Sequence, residues 1–470
     1  MKKFLITLLA LLCITGCSNN NEKLVMVTEA GFAPYEFYEN NEIVGVDIEI
    51  AKEIAKSMDK KLEVKDIAFD SIINELNADK ADMALAGMSI TEERLKSVDF
   101  SIEYAISKQV VVVPIDSKIE NPEQIHGRTV SVQLGTVADL ELSTYSDVNV
   151  IRQKKILAAA EDLKSKKSDC IVMDYLPAQE LVKSNTNLKI LNEELFTDKY
   201  AVAVKKGNIE LLNKINIVLQ RLIDEGKIEE YTIKYSNDNF LKKTNSTLNN
   251  TLIQDGRYKY ILKGLANTLI MSVFAIIIGI LFGLFIAIVR DNYKNNKKGK
   301  ILNFLCSLYV TIIRGTPVVL QLMIRYYIIL KSYEINILTV GIIAFGLNSA
   351  AYVSEIIRSG IESIDKGQME AGRSLGFNYF QTMKYIILPQ AIKNILPPLC
   401  NEFITLIKET SVAGYIGIMD LTKASDIIAS RTYDYFFPLM FIAIIYLVLT
   451  LGLSKLVNKL ERKLNNDARN

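Results

Sequence analysis

The sequence predicts an α/β domain followed by an all-α domain that spans a membrane. Up to about residue 255, short runs rich in β-branched residues alternate with amphipathic segments, which is typical of α/β units with parallel strands. After Tyr260, long apolar runs with few charges appear instead, and most are long enough to cross a bilayer. The 470 residues suffice for two or three domains, and a formal net charge of +2 gives no indication of a nucleic-acid partner.

The first 17 residues have the composition of a secretory signal. Lys2 and Lys3 precede an apolar run that is too short to span a membrane and that ends in Gly16 and Cys17. This ending resembles the bacterial lipobox, and the resemblance implies that Cys17 becomes the lipidated first residue. An uncleaved N-terminal anchor is the alternative. Either interpretation places the following domain outside the cytoplasm.

Residues 23–235 form the predicted α/β domain. Cys170 is its only cysteine and His126 is the only histidine of the chain, so we expect no internal disulfide, no metal and no cofactor bound by this chain. Open α/β sheets bind ligands outside the carboxyl ends of their strands. The candidate binding residues therefore follow the predicted strands, which are 24–28, 82–85, 129–133 and 169–173. Predicted helices include 47–58 and 158–166.

Side chains that suit a zwitterion stand at these four strand ends. Arg94 offers a guanidinium with two donors for a carboxylate, and Asp174 offers an acceptor for an ammonium group. Backbone amides near Ser89 and Thr136 would complete the carboxylate site. The set that we predict to bind substrate comprises Glu29, Phe32, Gly87, Met88, Ser89, Arg94, Gln133, Thr136 and Asp174.

Ordinary structural roles are open for the same residues. Thr91 could cap a helix and leave Arg94 at the surface. Asp174 could cap the helix that begins near Pro177. The aromatic residues between 32 and 37 could belong to the core instead of a pocket.

Five motifs in this domain resemble the polar amino-acid-binding proteins of ABC importers. In order they are GFAPYEF, GVDIEIAKEIA, AGMSITEERLKSVDFS, VSVQLGT and IVMDYLPA. The resemblance implies two α/β lobes that close on the ligand, a two-lobed clamshell joined by crossover strands at 108–114 and 200–204. It implies carboxylate binding by Arg94 with Ser89, Gly87 and Thr136, ammonium binding by Asp174, packing by Phe32, and side-chain recognition by Glu29 and Gln133.

The side chain of the substrate stays open at this point. Val137 stands where many members of the family have Thr or Gly, which removes a hydroxyl contact. An acidic Glu29 would favour an amide or cationic side chain, so glutamine, arginine and lysine are the expected substrates.

The second half is predicted as a linker at 236–256, a transmembrane domain at 257–458 and a cytoplasmic tail at 459–470. Five candidate spans lie near 261–289, 301–330, 337–357, 391–407 and 436–453. Pro397, Pro398 and Glu402 interrupt the fourth. Basic residues are concentrated at 290–300 and in the tail, so both should be cytoplasmic. We therefore expect a bacterial plasma-membrane protein with its α/β domain on the external face.

The segment between the third and fourth spans resembles the EAA loop of ABC permeases. The residues that carry the resemblance are Glu370, Ala371, Gly372, Gly376, Leu388 and Pro389, with Gly372 in place of the second alanine. The resemblance implies a short coupling helix that docks on a separate ABC ATPase. The alternative is a solvated amphipathic connector. Residues 314–317 and 408–411 also resemble amino-acid permeases.

The predicted function is the substrate-binding and permease subunit of an ABC importer for polar amino acids. No GxxxxGK[ST] pattern is present, so ATP would be used by a partner ATPase homodimer, with a second copy of this chain completing the permease. A ligand-gated channel is disfavoured because the α/β domain is complete before the first span and no TVGYG filter occurs. An enzyme on the same fold would need a paired acid and base in the cleft.

Overall fold

The computed structural model describes residues 23–39, 42–236, 252–253, 256–296, 299–330, 335–432 and 434–466. The predicted signal with Cys17 lies outside the described residues, as does most of the predicted linker. The chain divides into two compact units, of which one is built around the α/β domain and the other around the helical domain.

An eight-stranded mixed sheet forms the centre of the α/β unit, in the order β4-β1-β5-β10-β6-β9-β7-β8. A separate antiparallel pair, β2 with β3, lies outside it. The strands are β1 Lys23–Thr28, β2 Phe37–Glu39, β3 Glu42–Val44, β4 Lys61–Asp66, β5 Met83–Ala84, β6 Val98–Pro114, β7 Thr129–Gln133, β8 Asn149–Gln153, β9 Cys170–Asp174 and β10 Leu188–Lys205.

Two lobes share this sheet. In the first lobe β1 pairs in parallel with β4 and β5, and in the second lobe β7 pairs in parallel with β8 and β9. The long antiparallel strands β6 and β10, of 17 and 18 residues, run between the lobes and contain the predicted crossovers. The predicted two-lobed α/β architecture is confirmed.

Helices cover the sheet with their apolar faces. In the first of them, α1, Ile50 and Ile54 are buried one turn apart, and each contributes roughly 1.5–3 kcal/mol by leaving water. The helices of this unit are α1 Val46–Ser57, α2 Ile72–Asn77, α3 Glu92–Leu95, α4 Val137–Leu142, α5 Ile156–Lys164, α6 Tyr175–Ser184, α7 Ile209–Asp224 and α8 Lys227–Ser236.

Nine further α-helices follow the α/β domain within the described residues. They are α9 Tyr258–Asn296, α10 Lys300–Gly315, α11 Val318–Ile324, α12 Ile337–Glu362, α13 Lys366–Ser374, α14 Tyr379–Thr382, α15 Leu388–Glu409, α16 Leu421–Thr432 and α17 Phe436–Asn466. In this part of the chain α9, α12 and α17 are long and apolar enough to cross a membrane, and α10 with α11 would add a fourth, broken span.

Two of the predicted spans differ from simple helices. The second, 301–330, bends by 114° between α10 and α11. Pro317 follows Thr316, whose φ of −124° and ψ of 146° are the extended conformation that a following proline imposes. The fourth predicted span lies in α15, which stays helical through Pro397 and Pro398. Within the described residues, α15 is not one of the helices that are long and apolar enough to cross a membrane.

Glycines allow α9 and α12 to approach closely. A Cβ at Gly283 would lie 2.8 Å from Cγ1 of Val353, and one at Gly279 would lie 2.9 Å from Oγ of Ser349. On the other helix, a Cβ at Gly346 would lie 2.7 Å from Cγ2 of Ile278. Small residues at such contacts are a common means of packing helices within membranes.

Candidate functional site

A cavity lies between the two lobes, at the carboxyl ends of several strands of the sheet. Eight of the nine residues predicted to bind substrate line it. The lining residues are Glu29, Phe32, Glu36, Phe69, Ala86, Gly87, Ser89, Arg94, Gln133, Thr136, Val137 and Asp174. Met88 is the exception, since its side chain is fully buried in the core of the first lobe. Ser89 forms a β-bridge with Tyr200, and the side chain of its neighbour Met88 points to the opposite side, into the core.

Arg94 is buried in the cleft although Thr91 caps its helix. The Oγ1 of Thr91 accepts a hydrogen bond from the Arg94 amide, which is the capping role considered above, yet Arg94 is only 6% exposed. Its guanidinium donates to the carbonyl of Ser89 at 2.6 Å and to the carbonyl of Gly135, in the second lobe, at 2.8 Å. The guanidinium therefore connects the two lobes.

No carboxylate among the described residues lies within 4.0 Å of this guanidinium in an ion pair. Burial lowers the pKa of Arg94 to about 10, so the side chain remains a cation at neutral pH. Its carbon Cζ lies 5.3 Å from the centre of the Phe69 ring, a contact that the sequence analysis did not identify.

Asp174 ends β9 and occupies the N-cap position of α6, but its side chain makes no capping hydrogen bond. Its Oδ1 instead accepts from the hydroxyl of Ser107 and the amide of Gln109, both at 2.7 Å, and from the hydroxyl of Tyr200. Oδ2 accepts none from the described residues. Burial and, after it, the nearby charge of Asp198 raise the pKa of Asp174 to about 7.

Asp198, on β10, is a second carboxyl group near Asp174. One of its carboxyl oxygens accepts from the hydroxyl of Ser89, while the other is buried without a hydrogen-bond partner. Burial raises the pKa of Asp198 as well. Asp174 and Asp198 thus form an acidic pair in which each carboxylate disfavours ionisation of the other.

Glu29 joins the lobes at another point of the cavity. Its Oε2 accepts from Nε2 of Gln133 at 2.5 Å, and its Oε1 lies 2.7 Å from Nζ of Lys155. Gln133 ends β7 and Lys155 immediately precedes α5, so both partners belong to the second lobe. Lys155 was not predicted from the sequence, because nothing in the local pattern connects it with a residue of the first lobe.

Glu36 is a further lining residue that the sequence analysis did not identify. It is 1% exposed, and its Oε2 has no hydrogen-bond partner. Burial, followed by the neighbouring Asp47, raises the pKa of Glu36 well above its usual range. Asp47 itself accepts from the Gly87 amide at 3.0 Å and from the Tyr104 hydroxyl at 2.8 Å. The sequence signal that could have identified Glu36 is its acidic side chain among the aromatic residues of the GFAPYEF motif.

The aromatic residues of that motif divide between the pocket and the core. Phe32 lines the cavity and stacks on Tyr35 at 5.9 Å, whereas Tyr35 and Phe37 are buried in the first lobe. Gly87 has a φ of +51°, and a Cβ there would lie 2.6 Å from Cε1 of Phe32. Glycine is therefore required where the strand end meets this ring.

The Gly135 turn is fixed by its own hydrogen bonds. The Gly135 amide donates to Oδ2 of Asp139 at 2.9 Å. The Thr136 hydroxyl donates to the Gln133 carbonyl at 2.8 Å and accepts from the Asp139 amide at 3.4 Å as the cap of α4. These bonds hold the segment rigidly against the cavity.

In the helical unit, the predicted coupling residues form a compact helical loop. Glu370 and Ala371 are exposed on α13, and Gly372 is buried against residues of the same chain, because a Cβ there would lie 2.5 Å from Cγ2 of Thr382. Gly376, with a φ of +87°, follows the end of α13, and Leu388 with Pro389 begins α15. Next to α13, Leu375 and Phe380 are each 76% exposed, so the loop presents an apolar surface.

Polar side chains also meet between α12 and α15. Oγ of Ser349 donates to Glu402 at 2.8 Å, and Nδ2 of Asn348 donates to Glu409 at 3.1 Å. Carboxylates within apolar helices are expensive to bury and commonly mark substrate pathways.

Both halves of the chain match known families. Residues 24–239 match the bacterial extracellular solute-binding proteins, family 3. Residues 248–466 match the binding-protein-dependent transport system inner membrane component.

Curated relatives align with the helical half. A putative glutamine transport system permease protein of Rickettsia typhi is 43% identical over 209 residues, which are 44% of this chain and 93% of the relative. An arginine transport system permease protein of Bacillus subtilis is 41% identical over 210 residues, 44% of this chain and 94% of the relative.

Solved structures align with the α/β half. Holo ArgBP from T. maritima is 39% identical, with a TM-score of 0.42, over 44% of this chain and 95% of that chain. The substrate-binding protein AbpA of Streptococcus pneumoniae, bound to L-arginine, is 28% identical, with a TM-score of 0.45, over 47% of this chain and 97% of that chain.

The family matches confirm the resemblance that the sequence motifs indicated. The chain belongs to the binding-protein-dependent transport system inner membrane components, and it carries a family 3 solute-binding domain ahead of its permease domain as the two fused parts of an ABC transporter subunit.

Proposed function

We propose that this subunit imports an amino acid with a polar side chain, for which glutamine, arginine and lysine are the candidates. The observation that carries the proposal is the buried Arg94, a guanidinium held between the lobes without a carboxylate partner among the described residues. Leaving a cation buried in this way is costly unless an anion completes the site. The α-carboxylate of the substrate is that anion.

Asp174 supplies the complementary end of the site. Its Oδ1 is engaged by three protein donors, which fix the carboxyl group, while Oδ2 takes no hydrogen bond from the described residues. The α-ammonium group of the substrate binds there. With a guanidinium and a carboxylate at separate strand ends, the cleft is complementary to a zwitterion.

Substrate binding closes the lobes because both contribute to the site. Gly87, Ser89 and Arg94 come from the first lobe, and Gln133 and Thr136 come from the second. Phe32 and Phe69 pack against the side chain of the substrate, and Glu29 with Gln133 contacts its polar end. The names of the permease relatives, which mention glutamine and arginine, support a polar amino acid.

Transport needs a separate motor. A partner ABC ATPase docks on α13 and the exposed Leu375 and Phe380, and Glu370 couples its ATP-driven motion to the permease. Two copies of this chain form the permease, and the polar contacts of Glu402 and Glu409 lie along the path of the substrate. The α/β domain faces the exterior, and the export signal is processed at Cys17. The chain itself hydrolyses no ATP.

The test is ligand binding by the full chain in lipid nanodiscs, titrated with each of the twenty amino acids by calorimetry. Wild type should bind a polar amino acid, and Arg94→Ala should weaken that binding by roughly 30-fold or more, the cost of removing one partner of a buried charged pair. Arg128→Ala, which removes an exposed arginine of the second lobe, is the matched control and should bind as wild type does. Unchanged affinity in Arg94→Ala would contradict the site, and absence of binding to every amino acid would contradict the function.

A further inference from the structure

Glu29, a lining residue of the cavity, is paired with Lys155, which is not itself a lining residue, so the pair sets the net charge at this part of the cavity wall. Nζ of Lys155 lies 2.7 Å from Oε1 of Glu29, and the exposed fractions of the two side chains are 23% and 8%. The pair joins the second lobe to the first. Its partial burial means that the solvent screens it much less than a surface pair.

Three carboxyl groups line the cavity, and they belong to Glu29, Glu36 and Asp174. Asp174 is taken by the ammonium group of the substrate, and Glu36 is 1% exposed and lies beside Asp47, so burial and then that neighbour raise its pKa and disfavour its charged form. Glu29 is thus the one lining carboxylate left to attract a cationic side chain, and Lys155 already balances its charge.

The location of Lys155 argues against a purely local structural role. It stands at the N-cap position of α5, where its side chain makes no capping bond and where the first turn contains no acidic residue. A cation at a helix N-terminus interacts unfavourably with the helix dipole, so this placement does not stabilise α5. Its Nζ instead lies beside Oε1 of Glu29, a residue of the other lobe.

We propose that Lys155 is the specificity-determining residue of the binding site: by neutralising Glu29 it selects an uncharged polar side chain of the glutamine class over the cationic side chains of arginine and lysine. Glu29 and Gln133 then present a carboxylate acceptor and an amide to the carboxamide of the substrate, while Lys155 balances the charge of the carboxylate. A cationic side chain would meet no uncompensated negative charge there. The inference rests on the proposed function, which it narrows to one substrate class.

The test compares the affinities of the full chain for L-glutamine and L-arginine, measured by equilibrium binding of the radiolabelled amino acids in nanodiscs. In wild type, glutamine should bind more tightly than arginine. Lys155→Met exposes the negative charge of Glu29, so the ratio of the two affinities should shift toward arginine by roughly 10–100-fold, the range expected when a close charge is added or removed. Lys155→Arg keeps the charge and should keep the wild-type preference.

A second variant separates charge from structure. Lys155→Met combined with Glu29→Gln removes both charges, so the preference for glutamine should return, which a general disturbance of the lobe would not produce. Lys167→Met, which removes a lysine that is 71% exposed in the same lobe, is the control and should leave the ratio unchanged.

Two results would overturn the inference while the proposed function stands: a wild-type chain that binds arginine more tightly than glutamine, or a ratio in Lys155→Met within threefold of wild type, which is only about 0.65 kcal/mol. A wild-type chain that binds neither glutamine nor any other amino acid would overturn both.

Discussion

Asp174 shows how a single side chain of the site is both positioned and electrostatically adjusted. Ser107, Gln109 and Tyr200 fix one of its oxygens, and burial together with the charge of Asp198 raises its pKa to about 7. An unfolded chain would release this proton near the ordinary value of 3.8. The ligand-free folded state therefore retains a proton between about pH 4 and 7, and its stability falls as the pH rises through that interval.

Ligand affinity should depend on pH in the opposite direction. An ammonium group binds the ionised form of Asp174, so lowering the pH below about 7 protonates the carboxylate and weakens binding by roughly tenfold per pH unit. Calorimetric dissociation constants between pH 5.5 and pH 8.5 would measure this. A flat profile would show that Asp174 does not hold the ammonium group.

Asp198→Asn is the informative control for that profile. It removes the neighbouring charge that raises the pKa of Asp174, so the midpoint of the pH dependence should move to lower pH. The dependence itself should persist, because burial remains the larger cause of the raised pKa.

Much of the candidate site was predictable at the level of single residues. Arg94 and Asp174 follow strands, and a guanidinium and a carboxylate at such positions indicate a zwitterion site without a structure. Glu36, Phe69 and Lys155 were not predicted. The pair of Glu29 with Lys155 joins residues of different lobes, far apart along the chain, and its formation depends on how the lobes meet, which no local pattern encodes.

At the scale of elements, the short helix α13 has both a buried and an exposed face. Gly372 packs against Thr382, so its small size serves contact within the chain, a role that the family resemblance did not suggest. Asp365 caps the helix by accepting from the Gly367 amide at 2.6 Å. Glu370 remains exposed on the same helix and is available to a partner.

Glu370→Ala should separate binding from transport. Substrate affinity should equal that of wild type, while ATP-driven uptake into proteoliposomes that contain the partner ATPase should fall by about tenfold or more, the loss of about 1.4 kcal/mol that one charged contact commonly supplies. Glu461→Ala, which removes an exposed glutamate outside the loop, should transport normally. Normal uptake by Glu370→Ala would count against the coupling role.

The bent span illustrates what apolar composition does not reveal. The run at 301–330 predicted a crossing segment, but Pro317 interrupts the helical hydrogen bonds. Gln321 compensates by donating to the carbonyls of Ile313 and Thr316 at 2.7 and 3.0 Å. The presence of a break was predictable from the proline, whereas the 114° angle and the contacts of Gln321 were not.

At the scale of the whole molecule, the distribution of basic residues predicts which side of the membrane each part faces. Arg290, Lys294 and Lys300 lie at the connection between α9 and α10, which we expect on the cytoplasmic side. This orientation would place the α/β domain outside, where it could capture substrate before transport.

Cysteine labelling of intact cells should reveal that orientation. In a background without the half-buried native thiol Cys400, Ser165→Cys in the α/β domain should react with a membrane-impermeant maleimide. Lys366→Cys in the coupling loop should react only after permeabilisation. Labelling of Lys366→Cys in intact cells would reverse the proposed topology.

The central pairing of β6 with β10 has a thermodynamic consequence for the α/β domain. Although each lobe has its own apolar clusters, the two longest strands occupy the middle of one continuous sheet and contribute residues to clusters on both sides. If the strands of one lobe unfolded, β6 and β10 would lose hydrogen-bonded neighbours on that side. The pairing of β6 with β10, on which the other lobe depends, would then be weakened. The lobes are therefore expected to melt as one cooperative unit, although the link between them is a two-stranded ribbon.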